Sequence, residues 1–163
     1  FYAGLTRDRY DRALAHVMTT DALGPDLWVN REMVARGGAR VRVYPDTAGA
    51  NELLLAPEAE AREAKLGLWK TKAYRIPAAS DLPEPFEKFQ LVEGVTGERL
   101  STDEQGASCE LALAGSPLTL EIQTSAAALC QTPIGTAVRA RGYVYRGKLE
   151  ISHPLNLETL KRD

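Results

Sequence analysis

The stretch from 70 to 88, KTKAYRIPAASDLPEPFEK, constrains the fold more than any other part of the chain. It carries Pro77, Pro83 and Pro85 and has neither a helical nor a strand period. Proline fixes φ and removes a backbone donor, so no helix and no central strand runs through such a segment. The chain must therefore fold as two pieces. The reading is a domain over 1–70, a linker over 71–88 and a second domain over 89–163. The 163 residues suffice for two small domains.

The first piece alternates short strands with helices. RALAHVM, residues 12–18, is a strand candidate, and TTDALGPD after it is a loop broken at Gly24-Pro25. WVNREMVAR, residues 28–36, reads as a helix with Val29, Met33 and Val34 on one face and Gly37-Gly38 ending it. RVRVYP, residues 40–45, alternates with period two and reads as a strand. APEAEAREAKLG predicts a longer helix over about 57–66, with Pro57 at its first position and Gly67 as its stop. Beyond the linker the pattern changes. FQLVEGVTGERL, ASCELALAG, PLTLEIQ, TAVRARGYVYRG and KLEISH are short strand-like runs broken by Gly or Pro, with TSAAALCQ as one helical turn between them. Five strands at this spacing predict a small antiparallel barrel. The fold class is mainly β with helices, an α+β arrangement.

Composition removes several functions. A hydrophobic share of 44% and a charged share of 26% belong to a folded soluble domain. The net charge of −2 rules out binding nucleic acid through overall basicity, so any such role needs a local cluster. Residues 1–44 do hold seven arginines against five acids. No apolar run approaches the ~20 residues of a membrane span. FYAGLT is no signal peptide, and without an initiating Met the chain is expected to begin inside a longer gene product. Cys109 and Cys130 are too few for a zinc site. They are either one disulfide, which suits an oxidising compartment, or two small buried apolar residues. His16 and His153 are far apart, and a structural role is the expectation for each.

DRYDRALAHV, residues 8–17, resembles the D-[KR]-Y-G-R-x-L-A segment of the staphylococcal-nuclease-like (thermonuclease) family through Asp8, Arg9, Tyr10, Arg12, Leu14 and Ala15. WVNREMVARGGARV and PEAEAREAKLGLW are similar to the family's later helices. The resemblance covers residues 1 to about 70. It implies a partial oligonucleotide-binding (OB) barrel of nuclease type, calcium-dependent cleavage of DNA and RNA phosphodiesters, and single-stranded DNA or RNA as partner. Arg12 matches an arginine that grips the scissile phosphate, and Tyr10 a tyrosine that meets a terminal phosphate. Tyr44 matches a nucleotide-packing tyrosine across a one-residue gap. A guanidinium suits the first role, being always charged and able to donate two parallel hydrogen bonds to phosphoryl oxygens. The bland alternative for Arg12 is an ion pair with Asp8 or Asp11. Asp11 stands where the family has Gly. No metal ligand is expected in this chain: the Ca2+ ligands, the catalytic glutamate and a first arginine are expected upstream of Phe1. The missing amino-terminal segment, or another chain, would complete the first barrel. The chain alone is thus expected to be inactive.

TAVRARGYVYRGKLEISHP resembles the closing strands of a small β domain that follows the nuclease in bacterial members. It implies a second OB-like barrel. Arg139, Arg141, Tyr143 and Tyr145 fall on one face of a strand by period two. That face is either a strip for single-stranded nucleic acid or the solvated outside of a barrel. Two functions compete: a calcium-dependent nuclease within a longer protein, and a lapsed nucleic-acid-binding or protein-interaction module. A secreted or periplasmic location is expected ahead of a cytoplasmic one.

Overall fold

A computed structural model describes residues 2, 4–20, 26–82 and 86–161. The chain forms two compact units, Phe1–Arg75 and Ile76–Asp163. The fold is mixed α and β, with helices in the first unit and a six-stranded sheet in the second. Among the described residues no helix is long and apolar enough to cross a membrane.

In the first unit, strands β1 (Met18–Thr19) and β2 (Leu27–Trp28) pair antiparallel and lead into helix α1 (Val29–Ala35). The strand expected over 12–18 is a correction: only its end is a strand. The reason lies in Asn30, whose Oδ1 accepts the Val17 amide at 2.8 Å and whose Nδ2 donates to the Ala15 carbonyl at 3.4 Å. A side chain thus takes the backbone groups that a ladder would use. The loop expected at TTDALGPD falls largely on 21–25, outside the described residues. In α1 Val34 is buried, while Met33, expected on the same inner face, is exposed.

Helix α2 runs Glu52–Glu63 without a break. Its start lies five residues before the one expected. Pro57 sits inside it, one turn from the Leu53 carbonyl that it cannot bond. Leu54, Pro57, Glu58 and Ala61 are the buried residues, at i, i+3, i+4 and i+7. The stop differs too. The Leu66 amide donates to the Ala61 carbonyl and the Lys65 amide to the Arg62 carbonyl, a Schellman closure with Lys65 at φ 51°. Gly67 serves another purpose. Its backbone lies against Gly37: a Cβ on Gly37 would stand 2.3 Å from the Leu66 carbonyl oxygen, and one on Gly67 would stand 2.3 Å from that of Gly37. Only two glycines allow the ends of α1 and α2 to meet this closely.

Val41 and Val43 are buried and Arg42 and Tyr44 exposed, the alternation expected over 40–45. Two side chains from the α2 region help to hold the segment. Glu58, fully buried, accepts the Val41 amide at 2.7 Å, and Asn51 donates to the Arg42 carbonyl at 2.9 Å.

The expected linker carries 3-10 helices at Lys72–Tyr74 and Ala79–Asp81, and Pro83 and Pro85 lie outside the described residues. Ala79 belongs to the core of the second unit. That unit is an OB-like barrel built from β3 (Lys88–Thr102), β4 (Cys109–Leu113), β5 (Thr119–Ile122), β6 (Ala137–Tyr145) and β7 (Lys148–Ile151). The order is β3-β4-β5-β7-β6, and β6 pairs back onto β3, which closes the barrel. Strand β8 (Leu157–Thr159), not expected from sequence, pairs with the outer edge of β6. The barrel is not wholly antiparallel, a second correction: β5 and β7 run parallel. The 3-10 helix Thr124–Gln131 crosses from β5 to β6, and the β6–β7 hairpin returns beside β5 in the same direction.

Alternate residues fill the barrel. Leu111 faces Leu120, Leu120 faces Leu149 and Ile122 faces Ile151, all buried in one cluster. Gly142 lets β6 and β7 approach closely, since a Cβ there would stand 2.1 Å from the Glu150 carbonyl oxygen. Cys109 and Cys130 form a disulfide that ties β4 to the crossing helix.

Two stability measurements check this account. Lys65→Gly should stabilise the first unit by about 1 kcal/mol in denaturant titration, because glycine adopts positive φ without the Cβ penalty; a loss of stability would contradict the closure. Reducing the disulfide should cost the second unit about 3 kcal/mol, as expected for a loop of this length; an unchanged midpoint would contradict a bridge.

Candidate functional site

The segment 7–14 is a tight reversal. Arg7 bridges Ala13, and Asp8 and Arg12 exchange backbone contact through an Asp8 amide to Arg12 carbonyl bond of 3.0 Å. The Asp8 carboxylate organises the turn. Its Oδ1 accepts the Tyr10 amide at 2.8 Å and the Arg12 amide at 3.0 Å. Its Oδ2 accepts Arg12 Nε and pairs with Nη2, both at 2.6 Å. The Arg12 side-chain hydrogen bond, followed by its backbone amide, holds the Asp8 carboxyl below the usual aspartate range. Asp8 in turn pushes the Arg12 guanidinium up.

Asp11 takes the place that suits glycine, at φ 61°. It does not compete for Arg12. Its carboxylate pairs with Arg7 at 3.0 Å, and Arg7 also donates to its carbonyl. The ion pair that does engage Arg12 is Asp8's, yet the Arg12 side chain stays 73% exposed. The guanidiniums of Arg9 and Arg12 lie over the exposed Tyr10 ring, 5.3 and 5.1 Å from its centroid.

Tyr10, Arg12 and Tyr44, all three residues singled out from sequence in this half, line one cleft of about 740 Å³. Asn51 and Glu58 hold the segment that delivers Arg42 and Tyr44 to it. Arg9, Arg12 and Arg42 line this cleft together with Asp8 and Asp46, a local excess of positive charge that suits an anion. Arg42 was not foreseen. Its signal is its place beside Tyr44 in a period-two run. His16 also lines the cleft but serves structure: its Nδ1 accepts Trp28 Nε1 at 3.2 Å, and burial pushes its pKa down. An imidazole that accepts there is neutral.

Residues 2–71 match the staphylococcal nuclease homologue family. No curated protein and no solved structure matches the chain. The staphylococcal-nuclease-like segment therefore contains the whole Asp8 turn and both helices, and it supports a nuclease or nucleic-acid-related function for the first unit. The second unit lies beyond the match.

Calcium needs six to eight oxygen ligands, several of them carboxylates. Among the described residues no three His, Cys, Asp or Glu side chains gather as a metal site. Asp8 is engaged by Arg12 and Asp11 by Arg7. The described residues do not fit a calcium ion.

The strip expected on the second barrel divides. Arg141 is 1% exposed and pairs with Glu158. Arg139 pairs with Glu93 at 2.6 Å and with Glu158 at 3.1 Å. These arginines pin β6 to its neighbours β3 and β8. Tyr143 and Tyr145 stand half exposed, with Arg146 over the Tyr145 ring. His153 caps the 3-10 helix Pro154–Asn156, its side chain accepting the Leu155 amide.

Asp8 gives the turn a pH dependence. Its carboxyl is depressed in the folded turn, so its contribution is complete above the ordinary aspartate range and is lost as pH falls through the folded value. The Arg12 Nε–H resonance should lose its shifted position only on acidification below that range. Loss at higher pH would contradict the pairing.

Proposed function

We infer that the first unit grips the phosphates of single-stranded DNA or RNA in the cleft of Tyr10, Arg12 and Tyr44, as the substrate half of a calcium-dependent nuclease. One observation carries the reading. An exposed arginine, fixed by Asp8, opens onto the same cleft as two tyrosines, within a segment that matches the staphylococcal nuclease homologue family. In this reading Arg12 donates to phosphoryl oxygens and stabilises the charge that grows on them as a phosphodiester breaks. Tyr10 meets a terminal phosphate through its hydroxyl, and Tyr44 packs against a base or sugar. Calcium dependence rests on the family resemblance. Its ligands and the base would come from an upstream segment or another chain.

A second reading is a binding module without cleavage, which needs only the exposed Arg12 and the two tyrosines of the cleft. On the second barrel, Tyr143 and Tyr145 are the remaining candidates for base stacking, both half exposed. An oxidising compartment, periplasmic or extracellular, is supported by the Cys109–Cys130 disulfide.

The test is binding and cleavage of a labelled single-stranded oligonucleotide. The chain should bind it with an affinity that falls as salt rises, and Arg12→Ala should weaken binding about tenfold. The chain alone should not cleave with Ca2+, whereas the longer gene product should cleave with Ca2+ and stop with chelator. Unchanged binding by Arg12→Ala would remove the cleft from the account, and cleavage-free binding by the longer product would establish the second reading.

A further inference from the structure

The geometry points to Asp8 as the positioning residue of the phosphate grip: it holds one edge of the Arg12 guanidinium so that the other edge meets the phosphate. The inference rests on the reading of the cleft as a phosphate site and goes beyond it, since an arginine already in an ion pair is usually counted as spent.

A guanidinium has five N–H donors in a planar fork. Asp8 Oδ2 engages only the Nε and Nη2 side of that fork, both nitrogens at 2.6 Å. The Nη1–Nη2 edge can still donate two parallel hydrogen bonds to two phosphoryl oxygens. The other oxygen, Oδ1, is occupied by the Tyr10 and Arg12 amides, so the carboxylate cannot follow the guanidinium outward. Asp8 itself is only 17% exposed, whereas Arg12 is 73% exposed. The anchor is thus held back in the turn while the charged end stands at the cleft. The same two amides fix the Tyr10 backbone, so one carboxylate sets both residues of the grip.

An arginine on an exposed turn otherwise loses much of its side-chain freedom when it orders on a ligand. Holding it beforehand lowers that cost, in the way that any preorganised contact gains affinity. The alternative is that Asp8 merely competes with phosphate for Arg12. The two differ in sign: removing a competitor tightens binding, and removing an anchor loosens it.

The experiment measures, with chelator present, the affinity of the whole chain for a 5′-phosphorylated single-stranded oligonucleotide and for its uncharged methylphosphonate counterpart. Asp8→Asn keeps an oxygen for the Tyr10 and Arg12 amides but loses the charge that holds the guanidinium. Asp8→Ser, whose hydroxyl also suits the turn, is the second variant. Each should weaken the phosphate-dependent part of binding about tenfold, the scale of one hydrogen bond to a charged group. Asp8→Asn combined with Arg12→Ala should bind no worse than Arg12→Ala alone. Wild-type or tighter binding by both Asp8 variants, with Arg12→Ala still weak, would overturn the role of Asp8 and leave the cleft reading standing. Additive losses in the double variant would overturn it as well, showing that Asp8 acts through the fold and not through Arg12. Unchanged binding by Arg12→Ala would overturn the cleft reading itself.

Discussion

The carboxylate of Asp8 meets four nitrogens from two residues, and the shape of the first unit's cleft depends on those contacts. An exposed i,i+4 ion pair by itself contributes little. This one does more because two of its partners are backbone amides, so the pair and the turn form together. The cleft's other wall depends on Glu58 and Asn51, which clamp the 41–43 backbone beside α2. A fully buried carboxylate is costly unless its lone pairs are engaged. Glu58 meets that need by accepting the Val41 amide and lying 3.8 Å from Arg62. The two walls thus follow one rule: a carboxylate captures the amides of an irregular segment and sets where its arginine or tyrosine stands.

The second unit applies the same chemistry to another end. Its barrel closes because β6 pairs with β3 on one side and β7 on the other. The arginines that fall on the outer side of β6 are bound to Glu93 and Glu158 on the strands beside it. Charged residues at period two on a strand therefore staple the sheet here. What remains accessible is aromatic, at Tyr143 and Tyr145. The disulfide adds a covalent tie between β4 and the crossing helix, where the barrel has no ladder of its own.

Much of this was legible in the residues. The run of strands after the proline segment was readable because buried residues alternate with less buried ones over β4, β5 and β7. The Arg12, Tyr10 and Tyr44 grouping was readable through resemblance, and the structure brings the three to one cleft. Other features were hidden for physical reasons. The α2 start was misplaced because Pro57 favours a first helical position, and burial overrode that preference. The α2 end was misplaced because Lys65 already adopts positive φ and closes the helix two residues before Gly67, which is at positive φ as well. The strand over 12–18 dissolved because Asn30, far along the chain, takes its backbone groups. The parallel β5–β7 pair and β8 follow from long-range topology, which period two does not encode. Whether Asp8 or Asp11 would pair with Arg12 was equally open, since both are close in sequence; only the folded turn separates them.

The central claim is that phosphate sits on the outer edge of Arg12 in the first unit. A crystal structure of the chain with a 5′-phosphorylated trinucleotide tests this directly. A phosphate is expected within hydrogen-bond distance of Arg12 Nη1 and Nη2, with the Asp8 contact to Nε still in place. A phosphate bound elsewhere, or an Arg12 side chain still turned from the nucleotide, would contradict it.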